Sequence, residues 1–155
     1  MMEDYIARSE NDRKKMACIK QEKINKFGKL EINTTGKHAV MKYKIEECYY
    51  IDEKLGFISQ VKCLPHTGRM HQIRIQLASR KLPIINDFTY GKKQISEIEN
   101  LLGNRIALHS KSIKFLHPIT TQEIYIEAPI PIEFTNVIEY ISNKNKNPPI
   151  LKKLY

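Results

Sequence analysis

The residues best suited to chemistry lie in Pro65-His66-Thr67-Gly68-Arg69-Met70-His71-Gln72-Ile73-Arg74-Ile75-Gln76-Leu77-Ala78. Met70, Ile73, Arg74 and Leu77 recur at i, i+3, i+4 and i+7, the spacing of one helix face turned to a core. An arginine on that face asks for an inward anion, since a guanidinium stripped of water without a partner is costly. A carboxylate held bidentately is the natural choice; the other reading has Arg74 at the rim, reaching to water. Thr67-Gly68 reads as a turn and N-cap, which puts Arg69 in the first helical turn. A cation there is disfavoured by the helix dipole and suits an external phosphate instead. Arg69, Gln72 and Gln76 then share a polar face with His71 near its edge. No metal site is read: His66 and His71 do not make an HxxxH face. There is no Gly-rich phosphate loop and no triad order, and Glu46-Glu47 are strand neighbours on opposite faces.

The elements that must position this helix are legible around it. From Ala39 to Tyr50, Met41, Tyr43 and Ile45 alternate with Lys42, Lys44 and Glu46, a half-buried strand. A turn over 50–56 leads to a second strand from Phe57 to Leu64, mixed on both faces and therefore expected to be central. The two read as an antiparallel pair that delivers the chain to the helix. Leu82 to Asp87 reads as a short extended piece, with Pro83 at an edge, and Asp87-Phe88-Thr89-Tyr90-Gly91 as a turn. Asp87 is the partner within the chain that Arg74 would take by default. Ser96-Glu97-Ile98-Glu99 is a capping box before a short packing helix over Ile95, Ile98, Leu101 and Leu102, stopped by Gly103. Arg105 to Leu116 and Glu123 to Glu127 read as a strand hairpin turned at His117-Pro118. Pro131 starts a helix in which Phe134, Val137, Ile138 and Ile141 repeat. The class is α+β: a mixed, mainly antiparallel sheet with flanking helices. Residues 1–35 read as an irregular basic segment, with a loose loop from Lys20 to Leu30; 36–142 as the folded domain; and 143–155 as a basic disordered tail.

Composition bounds the function. The chain has 155 residues, 41% hydrophobic and 28% charged, enough for one domain with its own core. A formal charge of +9 fits a polyanionic partner, nucleic acid being the commonest, and charge alone leaves a merely solvated basic surface as an equal reading. Arg13, Lys14 and Lys15 are its densest cluster. Cys18, Cys48 and Cys63 form no CxxC pair, which fits buried thiols in a reducing cytosol. No apolar run reaches the roughly 20 residues of a membrane span, and no signal peptide opens the chain.

Beside this stands a resemblance. HTGRMHQIRIQLA followed by LPIINDFTYG resembles the TGRxHQIRxHLA and PIxGDxxYG signature of the RluA-type pseudouridine synthases, which isomerise uridine in ribosomal or transfer RNA. Flanking blocks agree in order. Ile6-Ala7-Arg8 with Arg13-Lys14-Lys15-Met16 resembles PIGR and RxKM; Gly36-Lys37-His38-Ala39 with Tyr43 resembles GKxAxTxY. Ile106-Ala107-Leu108-His109, Phe115-Leu116-His117-Pro118 and Ala128-Pro129-Ile130-Pro131 resemble LALHA, LxFxHP and APxP. The resemblance covers about residues 5 to 135.

It implies a partial catalytic domain that needs no metal or cofactor. A uridine is flipped from its stack, an aspartate attacks, the N1–C1′ bond breaks, and uracil rejoins through C5. Thr67, Gly68, Arg69, His71, Gln72, Leu108 and His109 are implied to line the RNA and uridine pocket. Arg13, Lys14 and Lys15 are implied to meet phosphate. The family's aspartate lies in an upstream R-L-D-x-x-T-S-G motif, followed by a stacking tyrosine in K-x-Y. None of Asp4, Asp12, Asp52 and Asp87 has that context. Arg74 is therefore expected to be the partner of an aspartate this chain lacks, and the loss of the family's first strands is expected to expose apolar surface and leave Arg74, if buried, without its counter-ion. The implied partners are RNA (ribosomal first, transfer second) and a second chain bearing the Asp motif, in the cytoplasm. An inactive RNA-binding remnant or a truncated fragment is the alternative.

Overall fold

The computed structural model describes residues 1–24, 26–52, 56–91 and 96–145. Among them, four strands form one antiparallel sheet in the order β2-β1-β5-β6: β1 is Met2–Arg8, β2 Met16–Ile19, β5 Lys37–Asp52 and β6 Gly56–Pro65. Two hairpins stand apart from it, β3 (Glu22–Ile24) with β4 (Leu30–Ile32), and β7 (Ser112–Leu116) with β8 (Glu123–Glu127). The helices are α1 (Gln72–Ser79), α2 (Ser96–Leu102) and α3 (Ile132–Asn145). The α+β, mainly antiparallel reading holds.

Strand β5 organises the molecule because its alternation serves two packing layers. Ala39 and Met41 are buried against α1, in clusters with Ile75 and Leu77. A register shift between Ile45 and Glu47 adds one residue to β5, which turns its odd-numbered side chains to the other face. Beyond it Tyr49 and Ile51 pack, with Ile58, against Ile98 and Leu102 of α2 and Val137 and Ile141 of α3. One bulge thus lets a single strand carry both cores.

Several expectations are corrected. Residues 1–35 are not irregular. Strand β1 is inserted beside β5, with Met2 and Ile6 each 1% exposed. Its inward register includes Asp4, whose charge hid the pattern; Gln76 donates to it at 2.7 Å and Arg80 at 2.9 Å. The stretch from Lys20 to Leu30 contains strand β3 and begins β4. Strand β6 is an edge and not a central strand, its mixed faces reflecting exposure of Phe57 and Leu64. No strand forms at Leu82–Asp87, where Pro83 and the left-handed Lys81 and Asn86 break extension. The first half of Arg105–Leu116 is also irregular, and β7 starts only at Ser112. Cys48 is exposed rather than buried.

Other expectations match. The strand pair β5–β6 and the hairpin β7–β8 form as read. Gly103 ends α2 with φ +57°, a conformation glycine adopts without strain. Helix α3 follows Pro131 as read but runs on to Asn145, so residues 143–145, read as the start of a disordered tail, are helical instead; residues 146–155, with Pro148-Pro149, lie outside the described residues. So do Ile95 and the middle of the turn over 50–56. No helix among the described residues is long and apolar enough to cross a membrane.

Candidate functional site

The helix expected to carry the chemistry, α1, starts later than its periodicity suggests. Thr67 does not cap it. The N-cap is His71, in the left-handed region at φ 56°. For a side-chain-bearing residue that conformation costs on the order of 1 kcal/mol and is held by its surroundings. Met70 therefore precedes the helix and is exposed, and Arg69 is not in its first turn.

Residues 66–71 instead form a loop laced onto β5. The Thr67 hydroxyl accepts a hydrogen bond from the Val40 amide at 2.9 Å and donates to Gln72 Oε1 at 2.8 Å. Gln72 Oε1 also accepts from the Arg69 amide at 3.0 Å, while its Nε2 donates to the Val40 carbonyl at 3.0 Å. Arg69 Nε donates to the His38 carbonyl at 2.9 Å. Gln72 and Gln76 are buried, so the expected polar face is not a free ligand surface. Gln72 staples the loop, and Gln76 ties α1 to Asp4 and to the Ala39 carbonyl.

Arg74 has its anion within the chain. Nε and Nη2 donate to the two oxygens of Asp87 at 2.8 and 2.7 Å, the bidentate geometry its place on the core-facing side demanded. The Asp87 side chain is fully buried and that of Arg74 is 20% exposed. Burial pushes the Asp87 carboxyl up, but the Arg74 guanidinium and the Tyr90 and Thr89 amides outweigh it and hold it below the usual carboxylate range. The hydrogen bond with Asp87 raises Arg74 in turn. Arg74 is thus not left uncompensated. Its guanidinium also lies 4.8 Å from the centre of the Tyr90 ring.

Thr67, Gly68, Arg69, His71, Gln72, Arg74 and Leu108 line one open cavity of about 260 Å³, together with Pro65 and Ile73. That is just under the ~300 Å³ at which small-molecule sites usually begin. His109 is not among its lining. Its ring packs 6.0 Å from that of Phe134, and its buried Nε2 has no partner among the described residues. Arg13 and Lys14 are exposed in the turn between β1 and β2, which is ordered by the Arg8 side chain donating to the Arg13 carbonyl at 2.9 Å. Lys15 lies 3.9 Å from Asp12 in the same turn. Sequence reasoning missed Tyr90, whose hydroxyl joins His71 Nδ1 and the Met16 amide, each at 3.0 Å. The signal for it was the tyrosine of the PIxGDxxYG block, in the turn that also holds Asp87. Among the described residues no cluster of ligating side chains could hold a metal ion.

No protein-family profile matches the chain. Curated relatives do. It is 38% identical over 116 residues to ribosomal large subunit pseudouridine synthase C of Buchnera aphidicola subsp. Schizaphis graminum, covering 74% of this chain and 35% of that protein. It is 32% identical over 117 residues to the Escherichia coli (strain K12) synthase C, with the same coverage of each chain. With synthase D of Neisseria meningitidis serogroup A it shares 31% over 146 residues, 90% of this chain and 34% of that one. The chain therefore spans about a third of the length of the curated relatives it matches. In structure it resembles human RNA pseudouridylate synthase domain containing 1, with a TM-score of 0.60 at 19% identity over 95% of this chain and 59% of that one, a likeness of fold. Over the matched stretch, about 74% of this chain, its curated homologues are ribosomal large subunit pseudouridine synthases.

Proposed function

We propose that this chain forms part of an RNA pseudouridine synthase, an isomerase that converts uridine to pseudouridine, with large-subunit ribosomal RNA as substrate. The observation that carries this reading is the cavity itself. It brings Leu108 from a distant segment to Thr67, Gly68, Arg69, His71, Gln72 and Arg74. In this account a uridine is flipped out of its stack at a cost of a few kcal/mol, least in a loop. Leu108, Ile73 and Pro65 offer it apolar walls, while Arg69 and His71 offer donors. The formal charge of +9, with Arg13, Lys14 and Lys15 at one exposed turn, supports an RNA backbone alongside.

The attacking carboxylate is not one of the four aspartates. None of them lines the cavity, and both oxygens of Asp87 and of Asp4 are already engaged. We assign the nucleophile to an aspartate on polypeptide corresponding to the relatives' remaining length, in a longer form of this chain or in a second chain. A guanidinium has five donors and Asp87 takes two, so three remain for it. Arg74 would then bridge two carboxylates, keeping the incoming one ionised and in place. The working compartment in this reading is the cytoplasm. The test is pseudouridine formation on unmodified ribosomal RNA by the chain alone and with a separately expressed segment bearing the Asp motif. Activity in the mixture supports the reading. RNA binding with no activity in either would favour the inactive remnant.

A further inference from the structure

Tyr90 is not part of the cavity wall, yet three groups converge on it. The Met16 amide donates to its hydroxyl at 3.0 Å, His71 Nδ1 lies 3.0 Å from the same oxygen, and the Arg74 guanidinium covers its ring. An amide nitrogen can only donate, so the phenol oxygen accepts from Met16. The phenolic proton has one other partner within reach among the described residues, His71 Nδ1. The arrangement in which every group is satisfied has Tyr90 donating to Nδ1, which leaves the imidazole proton on Nε2.

His71 lines the cavity, and its Nε2 has no hydrogen bond among the described residues. The backbone adds an independent sign. His71 is held left-handed at the start of α1, a position where glycine or asparagine would be less strained. Strain kept at a cavity wall, with the ring clamped from behind, marks a side chain presented for contact. Resting on the RNA reading above, we propose that Tyr90 is a positioning residue. It fixes His71 as the Nε2–H tautomer, so that the cavity offers an N–H donor to a carbonyl of the bound pyrimidine, and its ring holds Arg74 in register beside that donor.

The first readout needs no RNA. Long-range ¹H–¹⁵N correlation of the histidine ring at neutral pH should show His71 with an unprotonated Nδ1 and a protonated Nε2. In Tyr90→Phe the same ring should relax to a mixture of tautomers. A wild-type Nδ1–H, or a spectrum that Tyr90→Phe leaves unchanged, overturns the proposal. The second readout is affinity for an unmodified ribosomal RNA transcript. Tyr90→Phe and His71→Gly should each weaken it about five- to tenfold, the worth of one good hydrogen bond. His71→Asn, which tolerates the left-handed backbone and keeps an N–H donor, should recover most of that loss. His71→Gly should also leave the melting temperature within a few degrees, since it relieves the backbone. Unchanged RNA affinity in both Tyr90→Phe and His71→Gly would refute the contact. A wild-type chain that binds no RNA would instead count against the function proposed above, and the tautomer would still decide the role of Tyr90.

Discussion

Replacing Asp87 by asparagine isolates what the buried ion pair does. In the native arrangement the Asp87 carboxylate accepts from Arg74 twice and from the Thr89 and Tyr90 amides, each at 3.1 Å. The side-chain amide of Asp87→Asn would keep one oxygen for these four donors and turn its own N–H groups toward one side of them. Arg74 would be left without its charge partner. Removing one member of a buried pair costs about 3–5 kcal/mol, and the 20% exposure of Arg74 places this case near the lower end. For a chain of this size that corresponds to a fall in melting temperature of about 6–12 °C. Thermal unfolding followed by circular dichroism reads it directly. The pH dependence supplies a second check. The Asp87 carboxyl is depressed in the folded state, so its stabilisation is present above the unfolded value of about 3.9 and is lost as pH falls through the lower folded value. The gap between wild type and Asp87→Asn should therefore be constant above about pH 5 and shrink below about pH 4. A shift under about 3 °C at neutral pH, or a gap that widens on acidification, would refute this account of the pair.

Other consequences are as direct. Gly91→Ala should destabilise by about 1–3 kcal/mol in chemical unfolding, because a Cβ would lie 2.8 Å from the Asp87 carbonyl oxygen, which is backbone and cannot swing aside. Gln76→Glu would set a second carboxylate against Asp4 at a fully buried position, and its urea midpoint should fall, recovering in part in the double variant with Asp4→Asn. Cys48 should be alkylated first at neutral pH, since it is exposed while burial raises the thiols of Cys18 and Cys63; mass spectrometry of a maleimide time course shows the order.

What could be read from sequence follows from which physical signals are local. Strands β5 and β6 were legible because their alternation runs for many residues, and α3 because Phe134, Val137 and Ile141 repeat at the helical period. Strand β1 was hidden because its inward register mixes Met2 and Ile6 with Asp4, and the residues that bond Asp4, Gln76 and Arg80, stand more than 70 positions away. The start of α1 was misplaced because a left-handed His71 breaks the helical phase between Met70 and Ile73, and only the contact with Tyr90 reveals why it is tolerated. Arg74 is the instructive case. Its place on an apolar face demanded a bidentate carboxylate, and the chain supplies Asp87. The candidate residues from Thr67 to Arg74 and Leu108 do meet at one cavity, while His109 turns to Phe134.

The central claim, that this cavity belongs to a uridine-isomerising site, is tested most directly by tritium release from ribosomal RNA carrying [5-³H]uridine, since joining C5 to the sugar displaces the hydrogen there. The chain would be assayed with the segment bearing the Asp motif, beside Arg74→Lys, which retains a cation near Asp87. The account predicts release by the mixture, lost in Arg74→Lys. Release by the chain alone that is indifferent to Arg74, or none from any combination of folded components, would contradict it.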